Sequence, residues 1–368
     1  MRSFDTVIIG GGVIGCALAR ALAGEGVRVA VVERGAPGEE ASWAAAGMLA
    51  PSAEAEKDGP MFALGRASVE RYGPLVQELE SETGIACEYR TVGSLVLFRD
   101  EQERRAWIDS TAWQRSQGIP MEELSATALR EREPQLAAFP GAFYLPQDQQ
   151  VDNRLLMQAL VESCRRRGVE FVLGKAVVEV ERNSRGASGV RTENDQIMAG
   201  QVVNAAGAWA GAIRVPGLPP APIRPVKGHM LALASDPVRL RHVARSRHIY
   251  VVPRAGGRYV IGSTMEEVGF DKTARAGPLT GLLNAAQEIC PMLEGSALSE
   301  VWAGLRPASP DRLPLLGPTA LERYFVALGH FRNGILLAPI TAEILCGWLL
   351  RGKPPVPADA FLPARFAA

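Results

Sequence analysis

Gly10, Gly12 and Gly15 follow the apolar run TVII at residues 6–9 and open a stretch with helical periodicity. Their spacing, G-x-G-x-x-G, is that of a turn that cradles a pyrophosphate. Gly10 permits the tight turn, Gly12 lets the backbone reach the phosphates, and Gly15 lets the helix pack on the strand. Val13 and Ile14 complete the turn, whose amides sit at a helix N-terminus with partial positive charge. Glu33 ends the next apolar run, VRVAVVE, where a carboxylate can accept ribose hydroxyls and repel a 2′-phosphate. A second chemistry resides in Arg306, within the apolar stretch WAGLRP. Its planar guanidinium matches a carboxylate with two parallel hydrogen bonds. An unpaired cation in such surroundings is costly, so Arg306 reads either as a ligand for a carboxylate or as the partner of a local acid such as Asp311. Tyr250, in HIYVVPR, either adds a hydrogen bond to that carboxylate or is an ordinary strand tyrosine.

No Ser-His-Asp set, metal-ligand cluster or carboxylate pair stands out, and none of His229, His242, His248 and His330 is assigned the role of a base. Cys16, Cys87, Cys164, Cys290 and Cys346 are scattered without CxxC spacing, which argues against a disulfide framework or zinc cluster and for a reducing compartment. Forty basic residues cancel 40 acidic ones, so the bulk charge offers no pull on nucleic acid. The apolar stretch from Ile335 to Leu350 contains Pro339 and Glu343 and reads as too short to span a bilayer comfortably. The expectation is a cytoplasmic protein with no nucleic-acid or membrane partner; a homo-oligomer is left open.

These residues need elements to position them. Strand, helix and strand within about 30 residues are the opening of a doubly wound sheet. Helices are predicted over 61–83, 101–117, 125–132, 153–167 and 278–293, and in the last apolar stretch. Strands are predicted over 88–98, in FVLGKAVVEVER as a pair, in QVVNAAG and in YFVALGH, with a β-rich region over 223–264 turning at Gly256-Gly257. The cofactor-type segments lie at the start, middle and end of the 368 residues, with β-rich insertions between them. The expected class is therefore mixed α/β, with two interleaved domains. One comprises residues 1–83, 150–222 and 316–368; the other comprises 84–149 and 223–315.

Three further segments distinguish a flavin from a nicotinamide. ASWAAAGM at 41–48 and VNAAGAW at 203–209 are rich in small residues that let backbone approach a flat ligand. GHFRNGI at 329–335 is a strand-to-helix turn whose helix N-terminus can face the electron-rich end of a flavin ring. With GGGVIG, YVVPR, GSTM and GLRPASPDRLPLLG, these motifs resemble the D-amino-acid-oxidase family of FAD-dependent oxidoreductases over residues 8 to about 342. Within it they resemble the bacterial glycine oxidases of the thiazole branch of thiamine synthesis.

The resemblance implies a Rossmann-like FAD-binding domain interleaved with a smaller mixed-sheet substrate domain. It implies FAD contacts by Gly10, Gly12, Val13, Ile14, Gly15, Glu33, Arg34, Ser42, Ala46, Gly47, Met48, Val177, Ala206 and Gly207, and by the loop His330, Phe331, Arg332, Asn333, Gly334, Ile335 and Leu336. It favours Arg306 as the substrate carboxylate ligand, with Arg332 and Tyr250 nearby and Met48 and Met265 walling a small pocket. Segment 304–317 lacks the cysteine that tethers flavin in monomeric sarcosine oxidases, so FAD is expected to be non-covalent. The implied reaction is oxidation of glycine, and of sarcosine or small D-amino acids, by molecular oxygen, giving the imine or 2-oxo acid, ammonia and hydrogen peroxide, with the imine available to thiazole synthesis. The flavin carries this chemistry, so no protein base is expected. The rivals are a D-amino-acid or D-proline oxidase, a dehydrogenase using another electron acceptor, and a tRNA-modifying flavoprotein.

Overall fold

The computed structural model describes residues 3–55 and 57–366. The TVII run lies in strand Ser3–Ile9, the glycine turn leads into helix Val13–Gly24, and the chain returns as strand Val29–Glu33. Ser3–Ile9 pairs in parallel with Val29–Glu33 on one side and with Gln196–Asn204 on the other. Glu170–Leu173 extends the parallel sheet beyond Val29–Glu33, and Tyr324–Leu328 extends it beyond Gln196–Asn204. Leu315–Pro318 closes that edge antiparallel; a meander of Val177–Asn183 and Gly186–Thr192 joins through Gln196–Asn204. The central strands read as continuous apolar runs because both faces are covered: Val7, Ile8, Val31 and Val203 are fully buried.

The second sheet has eight strands, in the order Ala297–Ala308, Arg224–Ala234, Arg258–Gly262, Tyr250–Pro253, Val243–Arg245, Ser94–Phe98, Gly141–Leu145 and Glu122–Ser125. All neighbours are antiparallel except Val243–Arg245 with Ser94–Phe98. Two chain excursions, one between residues 94 and 145 and one between 224 and 308, supply this sheet. The chain leaves and re-enters the parallel sheet around them.

Several elements differ from expectation for local reasons. The helix expected over 61–83 is two helices, Pro60–Val69 and Tyr72–Thr83. The strand expected from 88 starts at Ser94, because Gly93 stands at φ +85° and Glu88 at φ +51°, outside extended geometry. The stretch around Arg306 is the end of a 12-residue strand, Ala297–Ala308.

The last helix, Gly334–Arg351, corrects the view that this segment is too short to span. The helical run Phe331–Arg351 has the length and apolarity to cross a membrane, but 67% of its apolar window is buried inside the fold. It packs on Val13–Gly24 and Pro60–Val69 as a core helix. Pro339 has no N–H to offer the Ile335 carbonyl one turn earlier. The Tyr72 hydroxyl donates to that carbonyl, and Ser68 Oγ donates to the Leu336 carbonyl at 2.6 Å. The helix start therefore keeps a fixed position at the carboxyl edge of the sheet, where the conserved geometry of doubly wound folds puts ligands.

Candidate active site

The parallel strands end in the loops that line one large cavity of ≈ 410 Å³. Ile9 leads to Gly10 and Gly12, Val32 to Glu33 and Arg34, Asn204 to Ala205–Gly207, and Leu328 to Gly329–Asn333. Gly10 needs to be glycine twice over. Its φ is +103°, and a Cβ would lie 2.6 Å from the Ala205 carbonyl oxygen. At Gly15 a Cβ would lie 1.9 Å from the Gly10 carbonyl oxygen, so this residue serves helix–strand packing and does not line the cavity. Gly12 gives helix Val13–Gly24 no side-chain cap; Ser42 Oγ accepts from the Val13 amide at 2.9 Å. Glu33 is oriented by two amides, with Gly11 donating to Oε2 at 2.7 Å and Gly35 to Oε1 at 2.9 Å. Beside it Arg34 stacks 3.5 Å from the Trp209 ring centre.

A second helix N-terminus, at Gly334 and Ile335, also borders the cavity, and Asn333 offers it no side-chain cap. Two helix starts whose N-cap residues give no side-chain cap, together with a glycine turn, form a cradle suited to a pyrophosphate and to the electron-rich pole of a flavin. His330 lines the cavity while its ring is buried, with Nε2 3.0 Å from Thr341 Oγ1. Burial pushes its pKa down to about 3, from an ordinary 6.5. Unfolding frees this imidazole to bind a proton, so its contribution to stability is lost as pH falls from about 6.5 toward 3. At pH 5 the loss is about 2 kcal/mol. Thermal unfolding at pH 7 and pH 5 checks this: His330→Gln should reduce the acid sensitivity, and an unchanged pH slope would contradict it.

The substrate end is built from the second sheet. Arg306 projects from strand Ala297–Ala308, where Val226 faces it in the register and Gly228 gives it room. A Cβ at Gly228 would lie 2.3 Å from Arg306 Nη1. The guanidinium donates to Ser263 Oγ at 2.6 Å and to the Thr264 carbonyl at 3.1 Å, and makes no salt bridge among the described residues. Asp311 is instead paired with Arg365. Burial lowers the Arg306 pKa, opposed by the neighbouring Tyr250 and reinforced by Arg332. Tyr250 is 8% exposed and its hydroxyl donates to Met230 Sδ at 3.5 Å.

Most of the expected residues meet in this one space. Gly10, Gly12, Val13, Ile14, Glu33, Arg34, Ser42, Ala46, Gly47, Met48, Val177, Ala206, Gly207, Tyr250, Arg306 and the loop His330 to Ile335 all line it. Leu336 does not; its side chain is in the core, 3% exposed. Met265 does not either, and is 55% exposed. Beyond the second sheet, Thr264 and Glu266 turn inward to His229 Nδ1, at 2.9 and 3.0 Å, and Met265 between them is left exposed. The wall position belongs to Met230. The sequence carried a signal for it: Gly228 and Met230 are two apart on one strand and so share a face.

Arg254 was not singled out, although it stands in YVVPR. It is 6% exposed, and it donates to the Ala46 carbonyl and to Gln150 Oε1, the latter at 2.8 Å. It fastens the small-residue loop that lines the cavity. Glu54, also unforeseen, lines the cavity between Arg245 and Arg332.

A parallel sheet with a glycine-turn cradle, joined to an antiparallel sheet that presents a cavity-facing arginine, is the arrangement of a flavin oxidoreductase. The family model described as FAD dependent oxidoreductase matches residues 5–348, and the chain belongs to that family. It is 34% identical to the glycine oxidase of Bacillus licheniformis over 96% of this chain and 94% of that protein. It superposes on the crystal structure of glycine oxidase from Geobacillus kaustophilus with a TM-score of 0.94, at 34% identity, covering 99% of each chain. It is also 36% identical to the bifunctional protein ThiO/ThiG of Synechocystis over 98% of its own length. The chain spans about half the length, 54%, of that bifunctional relative.

Proposed function

We propose that this protein is an FAD-dependent oxidase of glycine, acting also on sarcosine and small D-amino acids. The overall reaction is glycine + O₂ + H₂O giving glyoxylate, ammonia and hydrogen peroxide. The observation that carries this reading is Arg306: a guanidinium facing the cavity, without a carboxylate partner among the described residues, beside Tyr250 and the methionines Met48 and Met230. Arg306 binds the substrate carboxylate with two charge-assisted hydrogen bonds, and Tyr250 adds a third. Met48 and Met230 fill the space a larger side chain needs. The dinucleotide cradle and the loop His330 to Ile335 hold FAD, which supplies two-electron oxidation of the amine carbon when bound. No cysteine lines the cavity among the described residues, which supports a non-covalent cofactor.

The discontinuous segments 1–83, 150–222 and 316–368 then form the FAD-binding domain, and 84–149 with 223–315 the substrate domain. With carboxylate and amine both fixed, an L-amino acid puts its side chain where the hydrogen must leave, so L-amino acids fail. Cytoplasmic location, oxygen as acceptor, and supply of the imine to thiazole synthesis complete the reading; it needs no nucleic acid or membrane, and a homo-oligomer is compatible with it.

Oxygen uptake by FAD-saturated enzyme with glycine, sarcosine, D-alanine, D-proline and L-alanine tests the proposal. Glycine should be oxidised with peroxide release. Sarcosine and D-alanine should also react, because an apolar wall discriminates by only ~1–3 kcal/mol per methylene. Oxidation of D-proline without oxidation of glycine would make this a D-proline oxidase.

A further inference from the structure

Glu54 stands at the end of the short helix Pro51–Glu54, lines the cavity, and has a side chain only 15% exposed. Its two oxygens are each taken by a different arginine. Arg245 Nη1, from the second sheet, approaches Oε1 at 2.8 Å; Arg332 Nη2, from the loop ahead of the last helix, approaches Oε2 at 2.8 Å. Burial alone would raise the Glu54 pKa, but Arg245, Arg332 and Arg306 together hold it below the ordinary carboxylate range. It therefore carries a full negative charge within the field of Arg306. Behind the cluster lies a second carboxyl whose charged form is disfavoured. Asp148 is buried, accepts from Ser94 Oγ at 2.6 Å, and is pushed up to about 7 by burial. Two guanidiniums, of Arg245 and Arg332, thus pair with the Glu54 carboxylate, and that of Arg306 lies within its field.

We infer that Glu54 sets the charge specificity of the substrate end: by engaging Arg332 and Arg245 it leaves Arg306 as the guanidinium open to a ligand, and its own charge turns away a second anionic group. The substrate class is then amino acids with one carboxylate. This rests on the proposed role of Arg306, but it concerns binding and is separable from turnover. Removing the charge while keeping the shape, as in Glu54→Gln, frees Arg332 to take a second carboxylate. Glu54 acts as a specificity residue and is not a base, since two arginines occupy the oxygens a proton would need.

The test is calorimetric titration of FAD-loaded enzyme with two unreactive ligands, methoxyacetate with one carboxylate and diglycolate with two. Wild type should bind diglycolate no more tightly than methoxyacetate. Glu54→Gln should shift the ratio of the two Kd values at least tenfold toward diglycolate, and adding Arg332→Met should cancel that shift. A merely structural role for Glu54 would weaken both ligands together. The inference is overturned if the ratio stays within twofold in an FAD-loaded Glu54→Gln enzyme, or if the shift survives Arg332→Met. It is equally overturned, without any variant, if wild type prefers diglycolate tenfold or more. Failure of wild type to oxidise glycine would count against the proposed function and leave this binding result to stand or fall alone.

Discussion

Replacing Arg306 by alanine should lower kcat/KM for glycine by about 10²-fold or more while FAD stays bound. Hydrogen bonds to a charged group are each worth roughly 1.5–3 kcal/mol, and the substrate loses two of them. Glycine has almost nothing else to be held by, so no remote contact compensates. The variant leaves little damage behind in the fold, because Arg306 has no acidic partner to strand among the described residues; it bonds Ser263 and the Thr264 carbonyl. Arg306→Lys should recover only part of the loss, since an ammonium cannot reproduce the planar fork. Steady-state kinetics with the FAD absorption spectrum as a control checks this. Unchanged glycine kinetics in an FAD-loaded Arg306→Ala enzyme would assign the residue to holding the 263–264 turn.

Arg254→Met should cost FAD binding instead of substrate binding. Arg254 ties the end of strand Tyr250–Pro253 to two other segments: to the cavity loop at the Ala46 carbonyl, and to the stretch 150–152 at Gln150 and at Asp152, the latter at 3.5 Å. Asp152 caps helix Asn153–Arg166 by accepting from the amides of Arg154 and Leu155. Removing one partner of a buried ion pair typically costs about 3–5 kcal/mol. Part of that cost should appear as an apparent FAD Kd raised on the order of 10²-fold, and part as a lower Tm. Gly47 reinforces the expectation: at φ +68°, with a Cβ that would meet the Val151 carbonyl oxygen at 2.0 Å, the loop has one backbone path there. Fluorescence titration of apoenzyme with FAD reads the first effect. Wild-type FAD affinity and wild-type Tm together would contradict the role given to Arg254.

The parts of this site legible in the sequence are those whose physics is local. Gly10, Gly12 and Gly15 announce themselves because a tight turn and a close packing contact leave no room for a side chain, and Glu33 because it ends the adjoining strand. Arg306 was legible because a charge in an apolar run demands a partner. The partner itself was not: the choice between a ligand and Asp311 needed the structure, where Arg365 takes Asp311. Glu54, Arg245 and Arg332 come together across 191 residues between the first two, and no spacing encodes that meeting. Arg254 was hidden for the same reason, since its role lies in contacts with residues 46, 150 and 152. The outward position of Met265 is not legible, because it lies past the end of strand Arg258–Gly262, where residue type alone does not say which way a side chain faces. In the fold, the parallel strands were legible as doubly buried runs. The strand Ala297–Ala308 is not legible as a strand: its first five residues are mostly exposed and lack an apolar signature, and only the apolar stretch around Arg306 stands out.

The most direct measurement is anaerobic mixing of purified, FAD-loaded wild-type enzyme with glycine while the flavin absorbance is followed. The account predicts that glycine bleaches the bound flavin, that L-alanine does not, and that admitting oxygen restores the colour with release of hydrogen peroxide. Flavin that stays fully oxidised under saturating glycine, in protein whose FAD is bound and reducible by dithionite, would contradict the claim that this chain is a glycine oxidase.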